Sequence, residues 1–97
     1  MNKSNKNKYR EEESQIVNID FDLFKTEEII VIYHFLSLIE KNNKHQVNPK
    51  VLVDEYNKYR KVINSIALEK KYDKEFFKKT GISIYHTVQE AQKLIKK

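Results

Sequence analysis

The chain has 97 residues, of which 39% are hydrophobic and 34% are charged, and its formal net charge is +5. This length corresponds to one domain. The absence of cysteine excludes disulfides, thiolate catalysis and cysteine-based zinc sites. With one glycine and one proline, the chain lacks the turn residues that an all-β fold requires. We therefore predict an all-α fold, a small bundle of about four helices.

The first fifteen residues are almost entirely polar. Such a segment buries too little apolar surface to offset the entropy cost of ordering it. We therefore predict a disordered tail over residues 1–15 and a single helical domain over residues 16–97. The tail lacks the apolar stretch of a secretory signal. The longest apolar run, residues 29–39, is shorter than the roughly 20 residues that cross a membrane. We expect a cytoplasmic protein without membrane contact.

Residues 16–25 carry apolar side chains in alternation at Ile19, Phe21 and Leu23. Alternation of this kind is typical of a strand. Because no partner strand is evident, we predict an extended segment that lays its apolar side chains on the helices.

The first helix should start at Thr26, which is a good N-cap residue. Glu27 and Glu28 follow in the first turn, where carboxylates interact favourably with the positive end of the helix dipole. The next residues are apolar on nearly all sides, and they include His34, which we interpret as a packed or edge histidine. We predict a helix over residues 26–41 at the centre of the fold.

Three further helices have clear boundary signals. Asn48 and Pro49 are an N-cap and a first helical residue, and Ser65 and Ser83 can cap the next two helices. Gly81 supplies a left-handed residue at the end of the third helix. The predicted ranges are 49–63, 66–79 and 84–96. Their apolar faces are Leu52, Tyr56, Tyr59 and Ile63, then Leu68, Tyr72 and Phe76, then Ile84, Val88, Ala91 and Ile95.

The sequence holds no evident catalytic set. His86 and Glu90 stand four residues apart and could share a metal ion, but two ligands at this spacing are weak evidence and we interpret them as a solvated or ion-paired couple. The sequence also lacks a Gly-rich phosphate loop. We predict no enzyme activity, no metal site and no cofactor. An acidic cluster, whose spacing matches no known ion loop, consists of Asp20, Asp22, Glu27 and Glu28.

Positive charge is concentrated in the second half of the chain. Residues 1–46 hold 7 Lys and Arg against 8 Asp and Glu, whereas residues 47–97 hold 12 against 6, for a net charge of +6. A basic half can bind nucleic acid, and aromatic residues between cations can stack on bases. However, Tyr56 and Tyr59 lie on an apolar helix face, so we assign them to the core. A lysine-rich solvated surface is the alternative explanation of the charge.

Several short motifs occur in the order of a known family. They are Ile-Asp-x-Asp, Thr-Glu-Glu-Ile opening an apolar helix, Tyr-x-x-aromatic-basic, Ala-x-Glu-Lys and Gly-x-Ser-x-Tyr-x-x-Val. By their order and spacing the chain resembles the YktA-like proteins, uncharacterised protein family 0223, of low-GC Gram-positive bacteria. The resemblance implies a small helical bundle in a bacterial cytosol and implies no activity. The matching positions are Ile19, Asp20, Asp22, Thr26, Glu27, Glu28, Ile29, Tyr56, Tyr59, Arg60, Ser65, Ala67, Glu69, Lys70, Phe76, Gly81, Ser83, Tyr85 and Val88.

The chain departs from the usual pattern of this family at three places. Leu23 and Phe24 stand where the family usually has a Trp. Asn64 stands where a Pro is common. Ile66 and Leu68 replace polar Lys and Glu. The replacements at Ile66 and Leu68 either remove charge from a functional surface or indicate a changed contact.

We therefore predict a non-catalytic protein-interaction module, with an unknown protein or a second copy of the chain as its partner. The alternative is a nucleic-acid-binding or ribosome-associated protein that uses the basic second half. The candidate interaction surface consists of Lys58, Arg60, Lys61, Ile66, Leu68, Lys70, Lys71 and Lys74.

Overall fold

A computed structural model describes Val17 and residues 19–96. Its helices are α1 (Thr26–Lys44), α2 (Pro49–Ile63), α3 (Ile66–Thr80) and α4 (Ile84–Lys96). The bounds of α2 and α4 are as predicted, whereas α1 and α3 continue three residues and one residue further. No strand occurs among the described residues, and the all-α prediction is confirmed. The predicted tail at residues 1–15 lies outside the described residues.

The predicted caps of α2, α3 and α4 are confirmed. The side chains of Asn48, Ser65 and Ser83 each accept a hydrogen bond from a backbone N–H in the first turn of their helix, at 2.9, 3.2 and 3.1 Å. These bonds satisfy donors that have no partner within the helix. Gly81 has φ of 77° and ends α3 in the left-handed region, as predicted. Asn64 ends α2 in the same region, with φ of 48°.

The start of α1 differs from the prediction. The N-cap is Lys25, and Thr26 is the first helical residue. Glu28 Oε1 accepts a hydrogen bond from the Lys25 backbone N–H at 2.8 Å. This bond is one half of a capping box, and it closes the helix start without the threonine hydroxyl.

The segment before α1 is a turn rather than a continuous extended strand. Leu23 N–H donates to the Asp20 carbonyl at 3.0 Å, and Asp22 N–H donates to Asp20 Oδ1 at 3.1 Å. The short Asp side chain stabilises this turn locally. As a result Ile19 is buried, whereas Phe21 and Leu23 are 52% and 58% exposed. The prediction that all the alternating side chains cover the helices is therefore wrong for two of them.

The central helix is α2, not α1 as predicted, because α2 packs against each of the other three. Phe35 of α1 joins this core, with its ring centroid 4.6 Å from that of Tyr59 on α2. The apolar surface of α1 extends beyond this contact, so Ile30 is 60% exposed. Helix α3 buries Tyr72 and Phe76. Helix α4 buries Ile84, Val88 and Ala91.

Along the described part of the chain, no helix combines the length and the apolar character needed to cross a bilayer.

Candidate interaction site

The residues of the predicted interaction surface lie on both sides of the turn formed by Asn64 and Ser65, which joins α2 to α3. The structure does not gather them into one patch. Ile66 and Leu68 are two residues apart on a helix and therefore point to different sides of α3. Each lines its own groove, and the two grooves meet at the turn.

The first groove, here called the apolar groove, runs between the turn before α1 and the start of α3. It is open to solvent and has a volume of about 580 Å³. Two of its lining residues are charged, Glu28 at the start of α1 and Lys71 on α3. Its apolar lining consists of Leu23, Phe24, Val62, Ile63, Ala67 and Leu68, and the turn residues Asn64 and Ser65 complete it.

The second groove, here called the polar groove, lies on the other side of the same turn and measures about 780 Å³. Arg60 Nε lies 3.1 Å from Glu69 Oε2 and forms an ion pair that joins α2 to α3. Ile66 is 69% exposed at this groove. The remaining lining residues are Asn57, Lys61, Asn64 and Ser65.

Two of the predicted surface cations are paired with carboxylates. Arg60 pairs with Glu69, as described above, and Lys58 Nζ lies 3.2 Å from Glu55 Oε2. Glu55 also lies 3.2 Å from Nδ1 of His34, which places this histidine at the exposed edge between α1 and α2. The other predicted cations, Lys61, Lys70, Lys71 and Lys74, are exposed.

Two residues of the polar groove, Arg60 and Glu69, belong to a larger set that we call the tyrosine–carboxylate cluster. Its other members are Tyr56, Tyr59 and Asp73. The Arg60 guanidinium lies over the Tyr56 ring, 5.7 Å from its centroid. Tyr59 is buried and Tyr56 is half-buried, so both belong to the core as predicted. Neither ring is laid open as a platform on which a nucleic-acid base could stack.

Asp73 is the member of this cluster that sequence reasoning missed. Its carboxyl is half-buried, and burial together with the charge of Glu69 raises its pKa to about 6. Among the described residues, none gives Asp73 a hydrogen bond or an ion pair. The available signal was the four-residue spacing from Glu69, which places both carboxylates on one helix face.

The Tyr59 hydroxyl faces this group of carboxylates. Burial raises the pKa of Tyr59, and the charges of Asp73 and Glu69 raise it further. Within the described structure the hydroxyl oxygen is buried without a hydrogen-bond partner. The cluster thus joins α2 to α3 at the cost of a poorly satisfied polar group and a desolvated carboxyl.

The structure does not bring together ion ligands at either candidate ion site, the His86–Glu90 pair or the acidic cluster of residues 20–28. Glu90 forms an ion pair with Lys93 at 3.6 Å, and His86 is exposed. In the acidic cluster, Asp20 closes the turn and Glu28 caps α1. Across the described residues, no group of three or more His, Cys, Asp or Glu side chains is placed to hold a metal.

The chain belongs to the Uncharacterised protein family UPF0223, which matches residues 17–97. A UPF0223 protein of Bacillus cytotoxicus is 38% identical over 74 residues, which are 76% of this chain and 82% of the relative. One from Streptococcus uberis is 34% identical over 73 residues, 75% of this chain and 79% of the relative.

A third relative, from Oceanobacillus iheyensis, is 35% identical over 71 residues, which are 73% of this chain and 81% of the relative. These relatives come from Gram-positive bacteria and confirm the resemblance drawn from the motifs. No solved structure shows a significant match to the chain. The family name carries no activity, and the grooves are the features of the chain from which a function can be inferred.

Proposed function

We propose that this protein is a non-catalytic interaction module that binds a protein partner at the surface around the α2–α3 turn. The observation that carries this proposal is the apolar groove, in which six apolar side chains line an open depression. Of the six, Leu23 and Ala67 are exposed, Phe24, Val62 and Leu68 are half-buried, and Ile63 is buried. A partner that covers the exposed part removes apolar surface from water, which favours association.

The departures from the family pattern support the same surface. Leu23, Phe24 and Leu68 line the apolar groove, Ile66 lines the polar groove, and Asn64 lies between them. The three departures named in the sequence analysis thus lie at the two grooves beside the α2–α3 turn. By contrast, the matching residues Tyr56, Arg60 and Glu69 hold α2 and α3 together.

A partner side chain of the size of Leu or Phe fits the chemistry of the apolar groove. Full burial of such a side chain contributes about 2 kcal/mol, and covering Leu23 and Leu68 adds to that value. The affinity is smaller than this sum, because association costs translational and side-chain freedom. We therefore expect a contact that is reversible and depends on the apolar groove.

The nucleic-acid alternative has weaker support from the geometry. Arg60 and Lys58 have carboxylate partners, and Tyr59 is buried. Exposed Lys70, Lys71 and Lys74 remain as possible phosphate contacts, and binding through them would weaken steeply with salt.

The proposal is tested by a photo-crosslinking amino acid placed at Ala67, which is exposed and lines the apolar groove. The matched control position is Gln92, which is exposed on α4 and lies outside both grooves. In cells of the organism that encodes the protein we expect a protease-sensitive adduct from position 67 and none from position 92. Leu68→Glu should abolish that adduct, because it places a charge in the apolar groove.

Equal adducts from both positions, or no adduct from position 67, would contradict the proposal. An adduct that nuclease removes, and that Lys70→Glu and Lys74→Glu together abolish, would favour the nucleic-acid alternative instead. Where an adduct forms, its mass spectrum identifies the partner.

A further inference from the structure

We propose that the partner in the apolar groove is a second copy of this chain, docked by a two-fold axis that passes beside the groove. This inference rests on the proposed function and specifies its partner. The two walls of the apolar groove carry opposite charge.

One wall of the apolar groove is acidic. It comes from the turn before α1 and the first turn of that helix, and it contributes Leu23, Phe24 and Glu28 to the lining. Residues 20–28 contain four Asp and Glu against one Lys. The wall therefore combines exposed apolar side chains with negative charge.

The opposite wall is basic. It is formed by α3 and contributes Ala67, Leu68 and Lys71. Lys74 and Lys78 follow Lys71 at intervals of three and seven residues and therefore share its helix face. Glu69 and Asp73 belong to the tyrosine–carboxylate cluster that faces α2. Glu75 stands four residues after Lys71 and shares its face, so the wall carries three Lys against one Glu and keeps a positive net charge.

A surface with an acidic wall, an apolar centre and a basic wall is complementary to itself. A two-fold rotation places the acidic wall of each copy against the basic wall of the other, so each favourable contact occurs twice. Within one chain this attraction is unused, because the ion pairs among the described residues do not join Glu28 to Lys71. The apolar centres of the two copies then cover each other.

The size of a stable interface sets a further condition. A standard interface buries roughly 800 Å² of each partner, which is more than the apolar groove alone supplies. The charged walls must therefore take part. Exposed Leu23 lines the acidic wall, and Phe21, two residues before it in the same turn, is also exposed and can add apolar area. We accordingly expect association that strengthens as the salt concentration falls.

The test uses the full chain in analytical ultracentrifugation and exchanges the charges of the two walls. We expect the wild type to form a dimer in a concentration-dependent manner. Glu28→Lys and Lys71→Glu, each alone, should raise the dimer Kd at least tenfold, because each places like charges together twice. An equimolar mixture of these two variants should associate again, since every contact between them is then a pair of opposite charges.

Glu28 also caps α1, so folding is checked separately. Asp22→Lys reverses a charge on the same wall without removing that cap, and it should weaken the dimer in the same direction. The matched controls are Glu90→Lys and Lys93→Glu on α4, which change net charge equally and lie outside both grooves. They should leave the dimer Kd within about twofold of the wild type.

A wild type that stays monomeric at several hundred micromolar would overturn this inference. So would a mixture of Glu28→Lys and Lys71→Glu that associates no better than either variant alone. A monomeric protein that still gives a specific adduct from position 67 with a different protein would overturn the second-copy inference and leave the interaction module standing. The absence of any such adduct would overturn both.

Discussion

Helix α2 meets its neighbours α1 and α3 in opposite ways. Toward α1 it presents an apolar stripe, and Phe35 and Tyr59 pack with their ring centroids 4.6 Å apart. Toward α3 it presents a charged bridge from Arg60 to Glu69, with an open groove on each side of the connecting turn. The first contact holds the fold, and the second leaves apolar surface exposed beside charge. Helix α2 thus takes part in both the scaffold and the surface that we propose for binding, and the turn before α1 and helix α3 form the walls of that surface.

The largest expected change in the free energy of unfolding comes from the contact between α1 and α2. Phe35→Ala removes a fully buried ring between α1 and α2 and should lower the free energy of unfolding by about 3–5 kcal/mol. Ile66→Ala, at a residue 69% exposed beside the α2–α3 turn, should change it by less than about 0.5 kcal/mol. Urea unfolding at low protein concentration measures both values. Equal losses in the two variants would mean that the two contacts do not differ as described.

A smaller effect comes from the desolvated carboxyl on the α3 side. The pKa of Asp73 is about 6 in the folded chain, against an ordinary value of 3.8. Since folding favours the neutral form, stability is highest below about pH 4 for this group and falls as the pH rises through 6. This difference between the two pKa values corresponds to at most about 3 kcal/mol in the free energy of unfolding. Solvent screening of a half-exposed group reduces it to about 1 kcal/mol.

Asp73→Asn should therefore stabilise the protein by about 1 kcal/mol at pH 7 and have little effect at pH 4. Urea unfolding of the variant and the wild type from pH 4 to pH 8 measures this difference. Asp54→Asn, at an exposed carboxyl on α2, is the matched control and should change the free energy of unfolding by less than about 0.5 kcal/mol. A variant that is destabilised at pH 7 would show that Asp73 makes a favourable interaction in its ionised form.

The smallest expected change in the free energy of unfolding comes from the hydroxyl of Tyr59 on α2. Tyr59 packs its ring on Phe35 but buries its hydroxyl oxygen without a partner among the described residues. Tyr59→Phe keeps the ring and removes the unsatisfied group, so stability should stay constant or rise by up to about 1 kcal/mol. Tyr85→Phe, at an exposed hydroxyl, is the control. A loss of more than about 1 kcal/mol in Tyr59→Phe would reveal a hydrogen bond at this position.

The helix boundaries could be predicted because their signals are local. The caps at Asn48, Ser65 and Ser83 and the left-handed Gly81 depend on the chemistry of one or two residues each. The alternation before α1 was misleading for a similar reason. The side chain of Asp20 closes a turn over two residues, and this local bond outweighs a pattern that suggests extended chain.

The relations between helices could not be predicted in the same way. The sequence of α1 is apolar on nearly all sides, yet the position of α2 decides which residues are covered and leaves Ile30 exposed. Asp73 resembles any solvated carboxylate in the sequence, and its raised pKa arises from burial in the folded chain together with the charge of Glu69. Likewise, Ile66 and Leu68 were predicted as one patch, but the geometry of a helix separates them into two grooves.

The most direct test of the binding surface and its partner is the concentration dependence of backbone amide chemical shifts. We expect dilution from about 1 mM to 20 µM to change the signals of residues 21–28 and 62–74, and to leave those of residues 89–96 on α4 unchanged. That result would place a second copy on the apolar groove. Shifts that do not change with dilution, or that change mainly on α4, would contradict the account.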